Sequence, residues 1–359
     1  MQNNITKKFF TKSKLYVIIP NVNFKKYYLC REGRIILMNR QPVVALIGAT
    51  AVGKTALSLL IAKNLNAEII SVDSRQVYRY MNIGTDKISA SLRAGVIHHL
   101  LDVADPDENF TVSDFTRIAS KAAKRILSRK KIPLFVGGTP FYYQALFHAS
   151  MNEDLPSNSE VREKYETLAN SQGAELLHMR LAEVDPEIAE KLHKNDIRRV
   201  SRALEIWELT GKAPSNVFKE GNKKDFGFDI LYIGLTRPRE ELFSRIESRL
   251  SEEFNTGFPD EVKWLLNNGF NEKFNPLKGL GYLELIKYHR GELTLEQALE
   301  NSIARTKAFC RRQQTWFKKF EPVHWFDLSE AEANDSNYES EILEIISNHL
   351  SKGVNINNE

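Results

Sequence analysis

Cysteine is almost missing from this chain: Cys30 and Cys310 are the only two among 359 residues. Two thiols build neither a disulfide framework nor a cysteine-based zinc site, and the scarcity fits a reducing, intracellular compartment. Long apolar runs are missing too, and none approaches the roughly 18 residues that a membrane span needs. Charge of one sign is not in excess, since the formal net charge is only +4. That excludes a uniformly basic nucleic-acid coat, so any case for a polyanionic partner rests on local clusters. The eight histidines show no metal-ligand spacing, and the adjacent His98-His99 reads as structural.

What the chain does have is a phosphate loop. Gly48-Ala49-Thr50-Ala51-Val52-Gly53-Lys54-Thr55 matches G-x-x-x-x-G-K-[ST], with the apolar run Pro42 to Ile47 before it and the helical pattern Ala56 to Ala62 after it. A buried strand entering a glycine turn and then a helix N-terminus aims several backbone N–H groups at one point, which suits a phosphate or diphosphate. In this pattern Lys54 reaches the terminal phosphates and the Thr55 hydroxyl ligates Mg²⁺. The loop by itself does not say which phosphate compound is bound.

The rest of the chain supplies an α/β frame for that loop. Ala67 to Asp73 reads as a second buried strand ending on a carboxylate, Val112 to Ser128 as an amphipathic helix, and Ile132 to Thr139 as a third strand ending in a glycine turn. Alternating strands and helices predict a P-loop NTPase-like parallel sheet with helices on both faces and ligands at the carboxyl ends of the strands. Between residues 150 and 225 only helical patterns occur, which predicts an all-helical insertion; residues 41–149 and 226–328 form the catalytic core. Ser329 to Glu359 reads as one C-terminal helix with a polar tail. Residues 1–40 are basic, with Glu32 the lone acid before Met38. They fit a disordered extension or an early start, and organellar import applies only if the extension is genuine.

Four further features carry chemistry. Asp73 fits a general base or an outer-shell Mg²⁺ partner beside the loop, or a plain turn aspartate. The third strand ends Val136-Gly137-Gly138-Thr139 instead of on the acid that ATPases place there to hold Mg²⁺ through water, which weakens hydrolytic readings. Arg245 and Arg249 share one helix face by their i, i+4 spacing and suit a diphosphate, or salt bridges with nearby glutamates. Two basic clusters fit RNA, or a solvated face: Arg198-Arg199-Val200-Ser201-Arg202, and Arg311-Arg312-Gln313-Gln314-Thr315-Trp316-Phe317-Lys318-Lys319.

At this point the chain resembles the tRNA dimethylallyltransferase family, the isopentenylpyrophosphate transferases that act on tRNA. The resemblance runs from about Pro42 to Phe326. It is carried by the phosphate loop, Ile70 to Tyr78, Asn82 to Lys87, His98 to Asp102, Pro133 to Thr139, Asn195 to Glu205, Arg245 to Arg249, Gly281-Tyr282 and Arg312 to Phe317. It implies transfer of a dimethylallyl group from dimethylallyl diphosphate to the exocyclic N6 amine of the adenosine immediately 3′ of the anticodon, with Mg²⁺ as cofactor. Asp73 is then the base, while the loop N–H groups, Lys54, Thr55 and Arg249 neutralise the leaving pyrophosphate. By the same likeness Asp73, Ser74, Arg75, Gln76, Thr139, Arg162, Arg198 to Arg202, Lys278, Gly281, Tyr282, and Arg311, Arg312, Gln313, Gln314, Thr315, Trp316, Phe317 and Lys318 contact the anticodon stem-loop. The protein is expected to be a cytoplasmic monomer.

Pro140 and Leu283 depart from the family pattern, and the Leu283 position is not expected to hold a phosphate. Two other readings remain at this stage: a prenyltransferase acting on a free adenine nucleotide, which has no use for the basic clusters, and a P-loop small-molecule kinase.

Overall fold

Val43 to Ile47 are completely buried, as expected of a central parallel strand covered on both faces. In the computed structural model the chain is described over residues 40–148, 155–220 and 225–354, with the backbone of two short strand pairs nearer its start. Those pairs are β1 (Lys7–Thr11) with β2 (Lys14–Ile18) and β3 (Tyr27–Leu29) with β4 (Ile35–Leu37), both antiparallel. The rest of the segment read as an extension or early start lies outside the described residues.

The central strand is β5 (Gln41–Gly48). It is followed by α1 (Lys54–Asn64), β6 (Ala67–Ser71), β7 (His98–His99), α2 (Val112–Ser128), β8 (Ile132–Gly137) and α3 (Pro140–Phe147). After the helical segment come β9 (Phe228–Thr236) and β10 (Val323–Asp327). These strands form one parallel six-stranded sheet in the order β10-β9-β5-β8-β6-β7. Strand order therefore reverses around β5, and the loop after β5 opens at the switch point where such sheets bind ligands.

Helices cover both faces, because alternate strand residues point opposite ways. On one face Val44, Leu46, Leu134 and Ile233 pack with Leu57 and Ile61 of α1, and with Leu242 and Ile246 of α9 (Arg239–Asn255). On the other, Tyr232 of β9 meets Tyr143 and Phe320 edge-on, and Phe317 from α12 (Leu295–Phe317) joins them. A second core lies under residues 74–87. Val77, Tyr78 and Met81 pack there with Phe254 of α9, Phe258 of α10 (Phe258–Asn267) and Tyr282 of α11 (Tyr282–His289). This core holds an irregular loop beside the strand ends, and the loop's own backbone pairing is an isolated bridge between Tyr78 and Ala104.

Two local expectations are corrected. The C-terminal segment is two helices, α13 (Leu328–Ala333) and α14 (Tyr338–Val354). Asn334-Asp335-Ser336-Asn337 breaks it, with Asp335 in the left-handed region that short polar side chains tolerate (φ 48). The paired part of β6 stops at Ser71, so Asp73 stands beyond the strand on the following turn.

The chain divides into two compact units, residues 1–143 with 226–359, and residues 144–225. The second unit is all helical, with α4 (Ser159–Gln172), α5 (Ala174–Val184), α6 (Pro186–Lys191), α7 (Ile197–Thr210) and α8 (Pro214–Glu220). Its own core contains Tyr165, Leu177, Leu181, Val200 and Leu204.

Candidate active site

The phosphate loop is built by backbone conformations that its sequence permits. Gly53, at φ 112, precedes the first turn of α1, a geometry that glycine adopts without steric cost. Lys54 Nζ donates to the carbonyls of Gly48 (3.0 Å) and Ala49 (2.7 Å). Burial lowers its pKa to about 8, against the opposing pull of Asp73 and Asp86 and reinforced by Arg249. That coupling joins residues from three parts of the sequence in one electrostatic neighbourhood. Thr55 is exposed on the first helical turn.

Three side chains brace the loop from outside. Arg245 Nε donates to the Ala51 carbonyl (2.8 Å) and buried Arg237 Nε to the Val52 carbonyl (3.1 Å). Gln313 of α12 spans the gap between two strand ends: its Oε1 accepts from Thr50 N (2.9 Å) and its Nε2 donates to the Gly138 carbonyl (2.5 Å). Neither strand beside β5 ends on an acid, since β8 runs into Gly138-Thr139 and β9 into Arg237.

Asp73 is brought to the same crevice by the β6–β8 pairing. Val72 N donates to the Val136 carbonyl (2.8 Å) and Thr139 N to the Val72 carbonyl (3.3 Å). Thr139 Oγ1 in turn accepts from Ser74 N (3.3 Å). A Cβ at Gly137 would run into the Val72 carbonyl, so this close approach requires glycine. Asp73 Oδ1 accepts from the backbone N–H of Arg75 (2.7 Å) and Gln76 (3.2 Å). The turn-aspartate role is therefore real, and it uses one oxygen. No hydrogen bond among the described residues reaches Oδ2, which keeps one oxygen for chemistry.

Beyond Asp73 a carboxylate cluster surrounds Arg249. Its Nη1 donates to Asp86 Oδ2 at 2.8 Å, and its Nε lies 3.3 Å from Glu253 Oε1. The loop bearing Asp86 is fixed at both ends. Glu261 accepts from the backbone N–H groups of Asn82 (2.8 Å), Ile83 (2.7 Å) and Gly84 (3.3 Å) and from the Tyr282 hydroxyl (2.7 Å). Gln76 Nε2 donates to the carbonyls of Thr85 and Asp86. Asp86, Glu253 and Glu261 were not singled out from the sequence; the chemistry of each depends on contacts across the fold.

Of the residues assigned to RNA by likeness, the structure presents some and withdraws others. Arg311, Arg312, Thr315, Trp316 and Lys318 are exposed on one face of α12 and its end, and Lys278 is exposed as well. Gln313 and Phe317 lie on the inward face of the same helix, 4 % and 0 % exposed. Gly281 and Tyr282 are buried in the core beneath the 74–87 loop, where Tyr282 bonds Glu261. Gln76 is taken up by Ser71, Thr85 and Asp86. Arg75 Nη1 donates to the Asn275 carbonyl (2.9 Å). Gln314 is half-buried.

In the helical unit Val200 and Ser201 face inward with no exposed surface. Arg162 and Arg202 both pair with Glu205, a fully buried carboxylate that also accepts from Asn158 N. Burial pushes Glu205 up, but these two guanidiniums and the backbone bond outweigh it and hold it below the usual carboxylate range. Arg198 and Arg199 remain exposed, Arg199 paired with the helix-capping Asp196. Among the described residues no group of three or more His, Cys, Asp or Glu is arranged to hold a metal. No helix there is long and apolar enough to cross a membrane.

Comparison with known proteins yields one consistent set of matches. A family model described as IPP transferase matches residues 76–320. A tRNA dimethylallyltransferase of Dictyoglomus turgidum is 43% identical over 289 residues, covering 80% of this chain and 88% of that protein. One from Bacillus cytotoxicus is 39% identical over 318 residues, covering 89% and 98%. Among solved structures, a tRNA isopentenylpyrophosphate transferase from Bacillus halodurans superposes with a TM-score of 0.65 at 36% identity, covering 89% of this chain and all of that one (100%). A eukaryotic dimethylallyltransferase described as acting on tRNA gives a TM-score of 0.71 at 30% identity, covering 87% and 80%.

Proposed function

Since the chain belongs to the IPP transferase family, we propose that it transfers a dimethylallyl group from dimethylallyl diphosphate to the N6 amine of the adenosine immediately 3′ of the anticodon in tRNA. The observation that carries this reading is the juxtaposition of a phosphate loop with Asp73, at a switch point whose flanking strands end on Gly138-Thr139 and Arg237. A hydrolytic NTPase has a use for an acid there; a site that only neutralises a leaving pyrophosphate does not.

The chemistry follows from the charges. The amine nitrogen attacks the allylic carbon, a C–N bond forms, and the C–O bond breaks with its electron pair departing on pyrophosphate. Negative charge builds on that leaving group, and the loop N–H groups, Lys54 and Arg249 meet it as fixed positive charge in a partly desolvated site. The attacking amine sheds a proton, for which the free oxygen of Asp73 is the acceptor, held in place by the turn bonds on the other oxygen. Residues present suit Mg²⁺. Thr55 offers a hard oxygen at the helix N-terminus, and without an acidic cage the ion would be completed by diphosphate oxygens and water, as Mg²⁺ prefers. Bound there it would add leaving-group charge neutralisation.

The exposed cations and Trp316 on α12 suit a phosphate backbone and an unstacked base. Transfer RNA in the cytoplasm is the substrate this reading assigns, to a protein acting as a monomer. Incubation with dimethylallyl diphosphate, Mg²⁺ and unmodified tRNA, followed by digestion and mass measurement of the nucleosides, tests it. The expected result is an adenosine heavier by one dimethylallyl group; unchanged adenosine, with phosphate transfer from ATP instead, would refute it.

A further inference from the structure

Arg249 is shared between two carboxylates of different character. Asp86 is exposed, whereas Glu253, one helical turn after Arg249 on α9, is only 9 % exposed. Arg249 Nε is buried and makes no well-aligned hydrogen bond, so ion pairing with Glu253 at 3.3 Å is what fixes that edge of the guanidinium. Both residues line a cleft of about 250 Å³ that also receives Asn82, Asp86 and Lys87.

The groups facing Glu253 are mostly acidic. Arg249 and Glu252 lie on its own helix, Asp86 on the 82–87 loop, Glu261 on α10, and the Tyr282 ring on α11. Lys87, the other cation of the cleft, is committed to Asp102 and the Tyr78 carbonyl. Burial pushes the Glu253 carboxyl up to about 7, against the pull of Arg249 and with help from Asp86, Glu261 and Glu252.

We propose that Glu253 is a positioning residue that sets the Arg249 guanidinium for the departing diphosphate and takes up a proton when that anion binds. The proposal rests on the diphosphate reading of the site. A polyanion drawn to Arg249 brings further like charge towards an already desolvated carboxylate, and both effects favour its neutral form. A solvent proton then moves onto one Glu253 oxygen, and the other oxygen still faces Arg249 Nε. Orientation is kept while one negative charge is removed from beside the leaving group.

Calorimetric binding of inorganic pyrophosphate in the presence of Mg²⁺ tests this, using the whole protein, Glu253→Gln and Glu253→Ala from about pH 6 to about pH 8.5. Glutamine keeps the acceptor but cannot titrate. It should match the wild type at the acidic end and bind about tenfold more tightly at the alkaline end for each pKa unit by which the ligand shifts Glu253. Repeated in buffers of different ionisation enthalpy, the wild type should take up more protons than the Gln variant. The ionisation of the ligand and of Lys54 is common to all three proteins and cancels in the comparison. Alanine, which leaves Nε without a partner, should bind more weakly than Gln at every pH.

A Gln variant with the wild-type pH profile and proton count, or an Ala variant that binds as well as Gln, would overturn the proposal. Wild-type protein that binds no pyrophosphate would overturn the diphosphate reading itself, and the proposal with it. Thermal unfolding of both variants separates a lost fold from a lost partner.

Discussion

Replacing Gln313 separates two roles that sequence and structure assign to it. Family likeness puts it among the expected RNA contacts of Arg311 to Lys318; its geometry makes it a brace between the phosphate loop and the end of β8. In Gln313→Ala the Thr50 N–H and the Gly138 carbonyl both lose their partner. A buried polar group left unpaired costs about 1–3 kcal/mol. Two such groups would together cost about 2–6 kcal/mol. Gly138 is buried, while Thr50 is half-exposed and regains water, so the total lies in the lower part of that span, about 2–4 kcal/mol. For a body of this size that is a fall in Tm of roughly 4 to 16 °C. The loop also loses its register against the strand that carries Thr139, and a misplacement near 1 Å lowers kcat/KM for the diphosphate donor by about 10- to 100-fold. Gln313→Glu sharpens the test, because a carboxylate still accepts from Thr50 N but repels the Gly138 carbonyl. Differential scanning calorimetry and steady-state kinetics with each substrate varied in turn are the assays. An Ala variant with wild-type Tm and donor KM but weakened tRNA binding would refute the bracing role.

Three further outcomes follow from the same geometry. Asp73→Asn should lower kcat by about 10²- to 10⁴-fold with tRNA affinity and Tm unchanged, because the amide oxygen still accepts from Arg75 and Gln76; filter binding and single-turnover kinetics check this. Asp73→Ala should lose the turn as well and show a lower Tm. Lys54 has its folded-state pKa depressed to about 8 by burial, and a bound diphosphate restores its charge. Binding therefore takes up a proton above that pH, and donor affinity should fall as pH rises through 8, by at most about tenfold per pH unit; a Lys54→Met variant should lack this fall. Gly137→Ala should cost about 1–3 kcal/mol from overpacking against the Val72 carbonyl and should displace Asp73, seen as a lower Tm together with lower kcat.

The part of the site that was legible in the sequence is the part held locally. The phosphate loop is contiguous, and the apolar run before it and the glycines within it dictate the turn. Asp73 and Thr139 were legible at one remove, since parallel strands bring their carboxyl ends to one edge. Facing is legible in the helical periodicity. Cys310, Gln313 and Phe317 follow i, i+3, i+7 spacing and point inward, while Arg311, Arg312, Thr315 and Trp316 point outward. The same periodicity turns Val200, Ser201 and Leu204 into the core of the helical unit and leaves Arg198 and Arg199 outside.

Other features were not legible locally at all. Asp86 meets Arg249 across 163 residues, and Glu205 gathers Arg162 from 43 residues away. Such ion pairs depend on which helices pack together. A glutamate in a charged helix reads as solvated until its burial is known, and Glu253 is the case where that matters most.

The central claim is that the loop from Gly48 to Thr55 cradles a leaving pyrophosphate and does not hydrolyse a nucleotide. Quantifying phosphorus products beside modified adenosine in one reaction tests it most directly. The account predicts one pyrophosphate for each dimethylallyl group transferred, strictly dependent on tRNA, with no orthophosphate formed. Orthophosphate released from ATP without tRNA, and no pyrophosphate linked to adenosine modification, would contradict it.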